Sequence, residues 1–436
     1  MKDMNDCAPL ARELVNCLAE ELEVGQSSLK DVEEKILQFV YRLGALMLED
    51  VVEHISEPTQ ENRISVDGKL ARYRDTANLR LITRFGSTLV RRRRRYYIEG
   101  EGGYCPLDEK LGVQGCAGFS PLMTYLQALF GGSEAYGSGA RRLSAVLGFG
   151  VSATAVQRTT EMVGERLAFR PFDLLDAKRQ SEKCEVMVVE VDGTTSPQIH
   201  QEEGISGRES LKQPTEYKEC NLIAIEKRRG GKRIDRWTGG CYGPRSGFER
   251  YAHQAGLRMG QLNAEQVVFL ADGAHNNWDL QATNFPDSVG VLDFYHASEH
   301  LAGFCSLFDD ESVAQESYRR LRQRMFNGEI LELLARLKAA LPRTTDKQRA
   351  VKELNYFRSN RERMHYDEYR ENGYPIGSGM VEGSCKFVVC KRFKGSGMRW
   401  KRKDNESVLK VRLAIIDDTL HREFEPKPMR ENRYAA

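Results

Sequence analysis

Two stretches decide the fold, CEVMVVEVDGTT at residues 184–195 and QVVFLADGA at residues 266–274. Each is a short β-branched apolar run that meets an Asp-Gly pair, Asp192-Gly193 and Asp272-Gly273. Runs of this length bounded by turn residues read as strands buried on both faces. Open α/β sheets place their sites at the carboxyl ends of strands. Asp192 and Asp272 are therefore expected at the ends of two strands, on one edge of one sheet.

Working outward, CNLIAIEKRRGGKRIDRWTGG (220–240) reads as a hairpin turning at Gly230-Gly231, and 246–262 as a helix. SVGVLDFYHASEHL (288–301) is a strand running into a helix, and 301–370 is helical, charged and without a strand signal. YPIGSGMVEGSCKFVVCKRFK (374–394) places Glu382 in the first turn of a late helix behind a glycine-rich entry. The predicted class is α/β (α+β overall): a mixed sheet flanked by helices and interrupted by an all-helical insertion. Six regions follow, at 1–62, 63–119, 120–180, 181–300, 301–372 and 373–436.

The region 1–62 is acidic and helical, with Ser28 and Asp31 spaced as a capping box before Val32, Ile36, Phe39, Val40, Leu43 and Leu46. Leu79 to Ile98 reads as two strands turning at Phe85-Gly86-Ser87. Residues 136–167 read as two helices joined across Gly148 and Gly150, the layout of a helix-turn-helix or of a plain helical hairpin. In the first case Gln157 and Arg158 stand near the start of a recognition helix.

Net charge is only +2, from 65 Lys/Arg and 63 Asp/Glu, but it is unevenly spread. Residues 1–62 hold 5 basic against 14 acidic residues, which leaves 60 against 49 for the rest. Arg91, Arg92, Arg93, Arg94 and Arg95 form an unbroken run, and Lys386 to Lys403 holds eight basic residues and no acidic one. Such stretches beside a structured core favour a polyanion, nucleic acid first. Within the second stretch Lys386, Lys391, Arg392, Lys394 and Arg399 are the candidate DNA contacts. No apolar run approaches the roughly 20 residues of a membrane span. The first 30 residues carry acidic charge where a secretory leader is basic. The ten cysteines are scattered with no C-x-x-C, which suits reduced thiols in a cytosol.

Three carboxylates, Asp192, Asp272 and Glu382, make a hard-oxygen set suited to Mg²⁺ or Mn²⁺. Two such ions about 3.5–4 Å apart can clamp a phosphate between attacking and leaving oxygens, and phosphoryl transfer needs little beyond positioning and charge neutralisation. No G-x-x-x-x-G-K-[ST] occurs, so a P-loop nucleotide site is excluded.

The order of elements resembles the ribonuclease-H-like core of DDE transposases. VEVDGTT, LADGA, VLDFYHASEHL, PIGSGMVEGSCK and KGSGMRW are similar to blocks of bacterial insertion-sequence transposases of the Kra group, over about Tyr96 to Ile416. The resemblance implies a DNA transposase with Asp192, Asp272 and Glu382 as its metal-binding triad and two ions of Mg²⁺ or Mn²⁺. Asp293 and His296 match the family's D-x-x-H, and 301–372 its insertion domain. The implied partners are the element's terminal inverted repeats and target DNA, bound by at least a dimer in the bacterial nucleoid. Relatives often carry a cysteine pair after Tyr-Tyr that reads as a zinc ribbon; here YYIEGEGGYCPLDE retains Cys105 and, further on, Cys116, short of four ligands.

Other readings stand beside this one. A structure-selective nuclease or a DNA-binding protein that no longer cuts would use the same fold. His296-Ala-Ser-Glu299-His300 satisfies the inverted zinc-peptidase pattern, with both histidines on zinc and Glu299 as base. Cys385 and Cys390 stand about 140° apart on an α-helix, which favours core packing.

Overall fold

The computed structural model describes residues 28–167, 183–200, 212–425 and 432–434, with the single positions Asn16 and Glu209. Parts of the expected regions 1–62, 120–180, 181–300 and 373–436 lie outside the described residues. The chain folds as two units. One comprises Met1–Gly131, Tyr136–Thr160 and Leu420–Ala436, and the other Gly132–Ala135 and Glu161–Thr419. Among the described residues no helix is long and apolar enough to cross a membrane.

In the first unit, helix α1 (Leu29–His54) begins at a reciprocal cap. The Ser28 hydroxyl accepts from the Asp31 N–H, and the Asp31 carboxylate accepts from the Ser28 N–H. An antiparallel sheet follows, in the order β10 (Asn432–Tyr434), β1 (Arg63–Val66), β2 (Lys69–Ile82), β3 (Thr88–Ile98), β4 (Gly102–Tyr104). The β2–β3 hairpin turns across Phe85-Gly86-Ser87 but starts ten residues earlier than its apolar pattern suggests, because the arginine-rich half pairs as well. Beyond it lie α2 (Pro106–Lys110), α3 (Pro121–Ser133), α4 (Tyr136–Leu147) and α5 (Ala153–Arg166). Met123, Leu143 and Leu147 form a small core there. Ser152 caps α5, its hydroxyl accepting from the Ala155 N–H at 3.1 Å.

The second unit is built on a five-stranded sheet in the order β7 (Lys232–Tyr242), β6 (Thr215–Arg229), β5 (Cys184–Ile199), β8 (Ala264–Ala271), β9 (Val289–Leu292). Strands β5, β6 and β7 run as an antiparallel meander, and β8 and β9 lie parallel to β5. In chain order the sheet reads 3-2-1-4-5, the ribonuclease-H-like arrangement. The β6–β7 turn is two glycines with φ of +57° and +69°, a conformation that suits the twist of a two-residue hairpin and that other residues resist.

Helices flank this sheet: α6 (Arg245–Met259), α7 (His275–Asn284) and α8 (Phe294–Cys305). The insertion is helical, with α9 (Glu311–Phe326), α10 (Ile330–Ala340), α11 (Lys347–Asn360) and α12 (Tyr366–Glu371). The chain then returns in α13 (Gly379–Ser384), a π-helical turn over Cys385–Cys390, and α14 (Arg402–Ile416). Val189, Ile223, Ile225, Phe269, Leu270 and Val291 are all buried in one core, each worth about 1.5–3 kcal/mol relative to exposure.

One departure from the sequence pattern concerns β5. Asp192 does not end this strand: β5 runs on to Ile199, and β6 pairs with it from Val186 to that end. Asp-Gly is a turn signal only where no partner strand continues the ladder. Asp272, in contrast, directly follows β8.

The edge strand β7 is held by a half-buried acid. The Asp417 carboxylate accepts from the Thr238 N–H at 3.1 Å, and burial pushes its pKa up to about 7. A raised folded pKa favours folding while the acid is protonated. That contribution is full below the unfolded value near pH 4 and is lost as pH rises through about 7. Asp417→Asn keeps an acceptor without the charge. Its thermal midpoint should exceed the parent's at pH 8, with the gap closing towards pH 4, in paired melts across that range.

Candidate active site

Parallel pairing of β5 with β8 sets Glu190 opposite Leu270, so the register carried on by two residues brings Asp192 beside Asp272. Burial raises the Asp192 carboxyl above its ordinary range, and the charge of Asp272 adds to the rise. Opposing it are the Cys385 thiol, donating to Oδ2 at 3.3 Å, the Gly193 N–H on Oδ1 at 2.7 Å, and the charge of His296. Burial also pushes the Cys385 thiol up, so it stays protonated and serves as a donor. Asp272 Oδ1 accepts from the Ala274 N–H at 3.0 Å and from the Asn277 amide at 2.9 Å. Gly273 follows at φ +93°, where a Cβ would meet Leu292 and the Tyr356 ring within 2.9 Å, so glycine alone fits.

The third carboxylate arrives from α13. Ligand atoms of Asp293, His296 and Glu382 lie within 4.8 Å of one another. Among the described residues, that group takes in neither Asp192 nor Asp272. The cause is local: Asp192 is turned to Cys385 and Gly193, while Glu382 accepts from the Ser378 hydroxyl at 3.3 Å and faces Lys386 Nζ at 4.0 Å. Asp293 caps α8, one oxygen accepting from the Tyr295 and His296 N–H groups and the other from the Ser378 N–H. Burial alone would push the Asp293 carboxyl up, but His296 and Ser378 hold it down at about 2. Asp293 in turn, 3.5 Å from Nδ1, keeps the His296 imidazole charged up to about pH 9. The carboxylate oxygens suit a hard divalent cation, to which a protonated His296 offers no lone pair, and the repulsion between Asp192 and Asp272 is of the kind such an ion relieves.

Two supporting residues escaped the sequence reading. Glu190, 3% exposed inside the apolar run VVEV, accepts from the Val381 N–H at 2.9 Å and from the Met380 N–H, and burial raises its pKa to about 7. An ionisable residue in the middle of a buried strand was the available signal. The Tyr356 hydroxyl on α11 donates to the Asp272 carbonyl at 2.9 Å, a contact between distant segments that no local pattern encodes.

His300 turns away from His296. Its Nδ1 lies 2.6 Å from Glu353, and its ring stacks on Tyr356 at 3.6 Å. This pairing takes His300 out of the zinc-peptidase arrangement. Trp278 is buried, its indole N–H donating to Asn360 at 2.8 Å.

The basic residues divide sharply. On β3, Arg93 pairs with Asp108 and Arg95 is bidentate on Asp75 at 2.5 Å. Arg91 donates to the Ile55 carbonyl, and Arg94 lies over the Tyr73 ring at 4.1 Å while donating to Asn62. Arg92 alone of the five is exposed without a polar partner among the described residues. The run is therefore largely structural, because alternation along a strand offers each face its own acceptors. Arg392 is a second correction: it is 1% exposed, under the Trp400 ring at 4.7 Å, and cannot reach a phosphate. Lys386 is exposed, and Lys391 lies on the exposed Phe387 ring. Lys394 Nζ donates to Thr194 Oγ1 at 2.8 Å, and Arg399 donates to the Gln213 carbonyl. On α5, Arg158 is exposed and Gln157 half-buried. The segment carrying Cys385 and Cys390 is π-helical, so the α-helical angle assumed between them does not apply.

No family model matches the chain. The chain is similar to a UPF0236 protein in vanSb 3'region of Streptococcus gallolyticus. They are 22% identical over 333 residues, 74% of this chain and 69% of that protein. Among solved structures it is similar to the Drosophila P element transposase strand transfer complex, at a TM-score of 0.28 and 10% identity. That match covers 72% of this chain and 82% of the other.

Burial separates Arg392 from its neighbour in a measurable way. Arg392→Ala should lower unfolding free energy by about 2 kcal/mol or more, since a desolvated cation–π contact and its packing are lost. Lys391→Ala should change it by under about 0.5 kcal/mol. Urea unfolding followed by tryptophan fluorescence, with Trp400 beside the site, checks both.

Proposed function

We propose that the chain is a DNA transposase, a divalent-cation-dependent polynucleotidyl transferase that hydrolyses phosphodiesters at the ends of its element and joins the freed 3′ hydroxyls to target DNA. The observation that carries the reading is the 3-2-1-4-5 sheet with Asp192 on β5, Asp272 just past the end of the parallel strand β8, and Glu382 on the returning helix. Assignment to the Kra group rests on the sequence blocks alone.

Asp192, Asp272 and Glu382 are the residues proposed to hold two ions of Mg²⁺ or Mn²⁺, with His296 beside them. Bound there, such cations supply Lewis-acid stabilisation of attacking and leaving oxygens. The chain's own residues supply position and charge. His296, kept protonated by Asp293, sets a positive charge against the carboxylates and can donate to a phosphate oxygen. Thr194 follows Asp192 by two residues on β5 and so shares its face; it carries the Lys394 ammonium. Lys386 stands one helical turn beyond Glu382. These two lysines flank the carboxylates, where a DNA backbone would pass, and Lys391 and Arg399 extend the basic surface. Arg92 and Arg158 remain free to contact DNA elsewhere. Pairing of two element ends calls for at least two subunits, acting where chromosomal DNA lies.

Asp192→Asn, Asp272→Asn and Glu382→Gln should each abolish Mg²⁺- or Mn²⁺-dependent cleavage while DNA affinity stays within about tenfold, because binding rests mainly on phosphate contacts. Gel-resolved cleavage and anisotropy titrations on the same preparations check this. Robust cutting by any one variant removes the triad. Hydrolysis by the parent without any joined product would instead favour a nuclease on this fold.

A further inference from the structure

We infer that Glu190 is a positioning residue for Glu382, its buried carboxylate clamping the first turn of α13 to the central strand of the sheet. The inference rests on Glu382 being one of the carboxylates that act on DNA.

A charged residue on β5 is costly. Val189 and Val191 beside Glu190 are 0% and 1% exposed, Glu190 itself 3%, and no lysine or arginine pairs with it among the described residues. What it does have is two backbone donors, Val381 N–H at 2.9 Å and Met380 N–H. Both belong to a helix that cannot satisfy them itself. The first N–H groups of any helix lack partners within it, and Ser378, at the cap position of α13, makes no side-chain cap bond. Instead the cap is delivered from 191 positions away in sequence. Asp293, fully buried, performs the same service one step earlier by accepting from the Ser378 N–H.

The geometry gives this clamp a purpose. Helix α13 has six residues, too few to hold a direction alone. It enters through Gly377 and Gly379 and leaves into a π-helical turn, so neither flank is stiff. Glu382 follows Val381 directly, which leaves few free torsions between the clamped amide and the acting carboxylate. Asp192 lies two residues past Glu190 on the same face of β5. One strand thus carries an acting carboxylate and the anchor of another. The engaged oxygens and deep burial argue against Glu190 as a ligand or proton carrier.

The test compares the full-length parent with Glu190→Gln, which keeps an acceptor, and Glu190→Leu, which removes it at similar volume. Two readouts are taken: amide hydrogen exchange at Met380 and Val381, and kcat and KM for Mn²⁺-supported cleavage of duplexes carrying the element ends. Glu190→Leu should speed exchange at both amides at least about tenfold with the β6 amides unchanged. It should also lower kcat at least about thirtyfold with KM within about threefold. Glu190→Gln should stay within about threefold of the parent in both. Should Glu190→Leu not fold, Glu190→Asp, which withdraws the acceptor by one methylene, should loosen the same amides. Parent-like exchange in the variant that lacks or withdraws the acceptor overturns the clamp. So does a Glu190→Gln protein that keeps its amides protected yet loses turnover, which would make the charge itself part of the chemistry. If the parent cuts no DNA while Glu190→Leu still loosens both amides, the clamp stands and the transposase reading falls.

Discussion

Two like charges, one on β5 and one just past the end of the parallel strand β8, set the terms for the second unit. The β5–β8 register brings Asp192 beside Asp272, and a slip of one residue would turn Asp192 to the opposite face. Burial pushes the Asp192 carboxyl up, and the neighbouring charge of Asp272 adds to the rise. The surroundings answer with dipoles more than with cations. Asp272 takes an N–H and an amide, Asp192 an N–H and a thiol, Asp293 three backbone N–H groups, and Glu190 two. No lysine or arginine forms an ion pair with any of these four among the described residues. Dipoles hold carboxylates in place without cancelling their charge, which leaves a net negative cluster able to receive divalent cations.

The lysines stand at one remove from this cluster. Lys386 is 4.0 Å from Glu382, and Lys394 is tied to the Thr194 hydroxyl rather than to Asp192. A lysine bonded directly to Asp192 would compete with a metal ion for the same oxygen. Held one residue type away, it keeps its charge for a phosphate. Arg392 differs from its neighbours: packed on Trp400, it is withdrawn from the surface on which the exposed cations stand.

The sheet was legible because strands buried on both faces write themselves as apolar runs, as β5 and β8 do, and because Gly230-Gly231 marks the β6–β7 turn. Partners were not legible, because nothing within a strand states what lies opposite. For that reason Asp192-Gly193 read as a strand end when β6 in fact extends the ladder, and five arginines read as a DNA stripe when Asp75, Asp108 and Asn62 were waiting for three of them. The three carboxylates were found by type and order; the closer grouping of Glu382 with Asp293 and His296 was not, since it depends on how α13 enters. Helical periodicity likewise could not announce the π-helical turn, which uses the same residues with a different hydrogen-bond step.

The helical insertion fits this account as more than a spacer between Asp272 and Glu382. From α11, Tyr356 reaches the Asp272 carbonyl, stacks on His300 and sits over Gly273, while Glu353 fixes His300. Asn360 holds Trp278, and Arg363 just beyond α11 lies over the same indole at 4.3 Å. A strand end has no ladder beyond it to fix its last residue, and β8 stops at Ala271. The contacts from α11 supply the missing constraint at the position where Asp272 must point. The insertion therefore performs for Asp272 what Glu190 performs for Glu382: a residue from a distant segment binds the backbone at or next to the carboxylate's residue and makes no bond to the carboxylate itself.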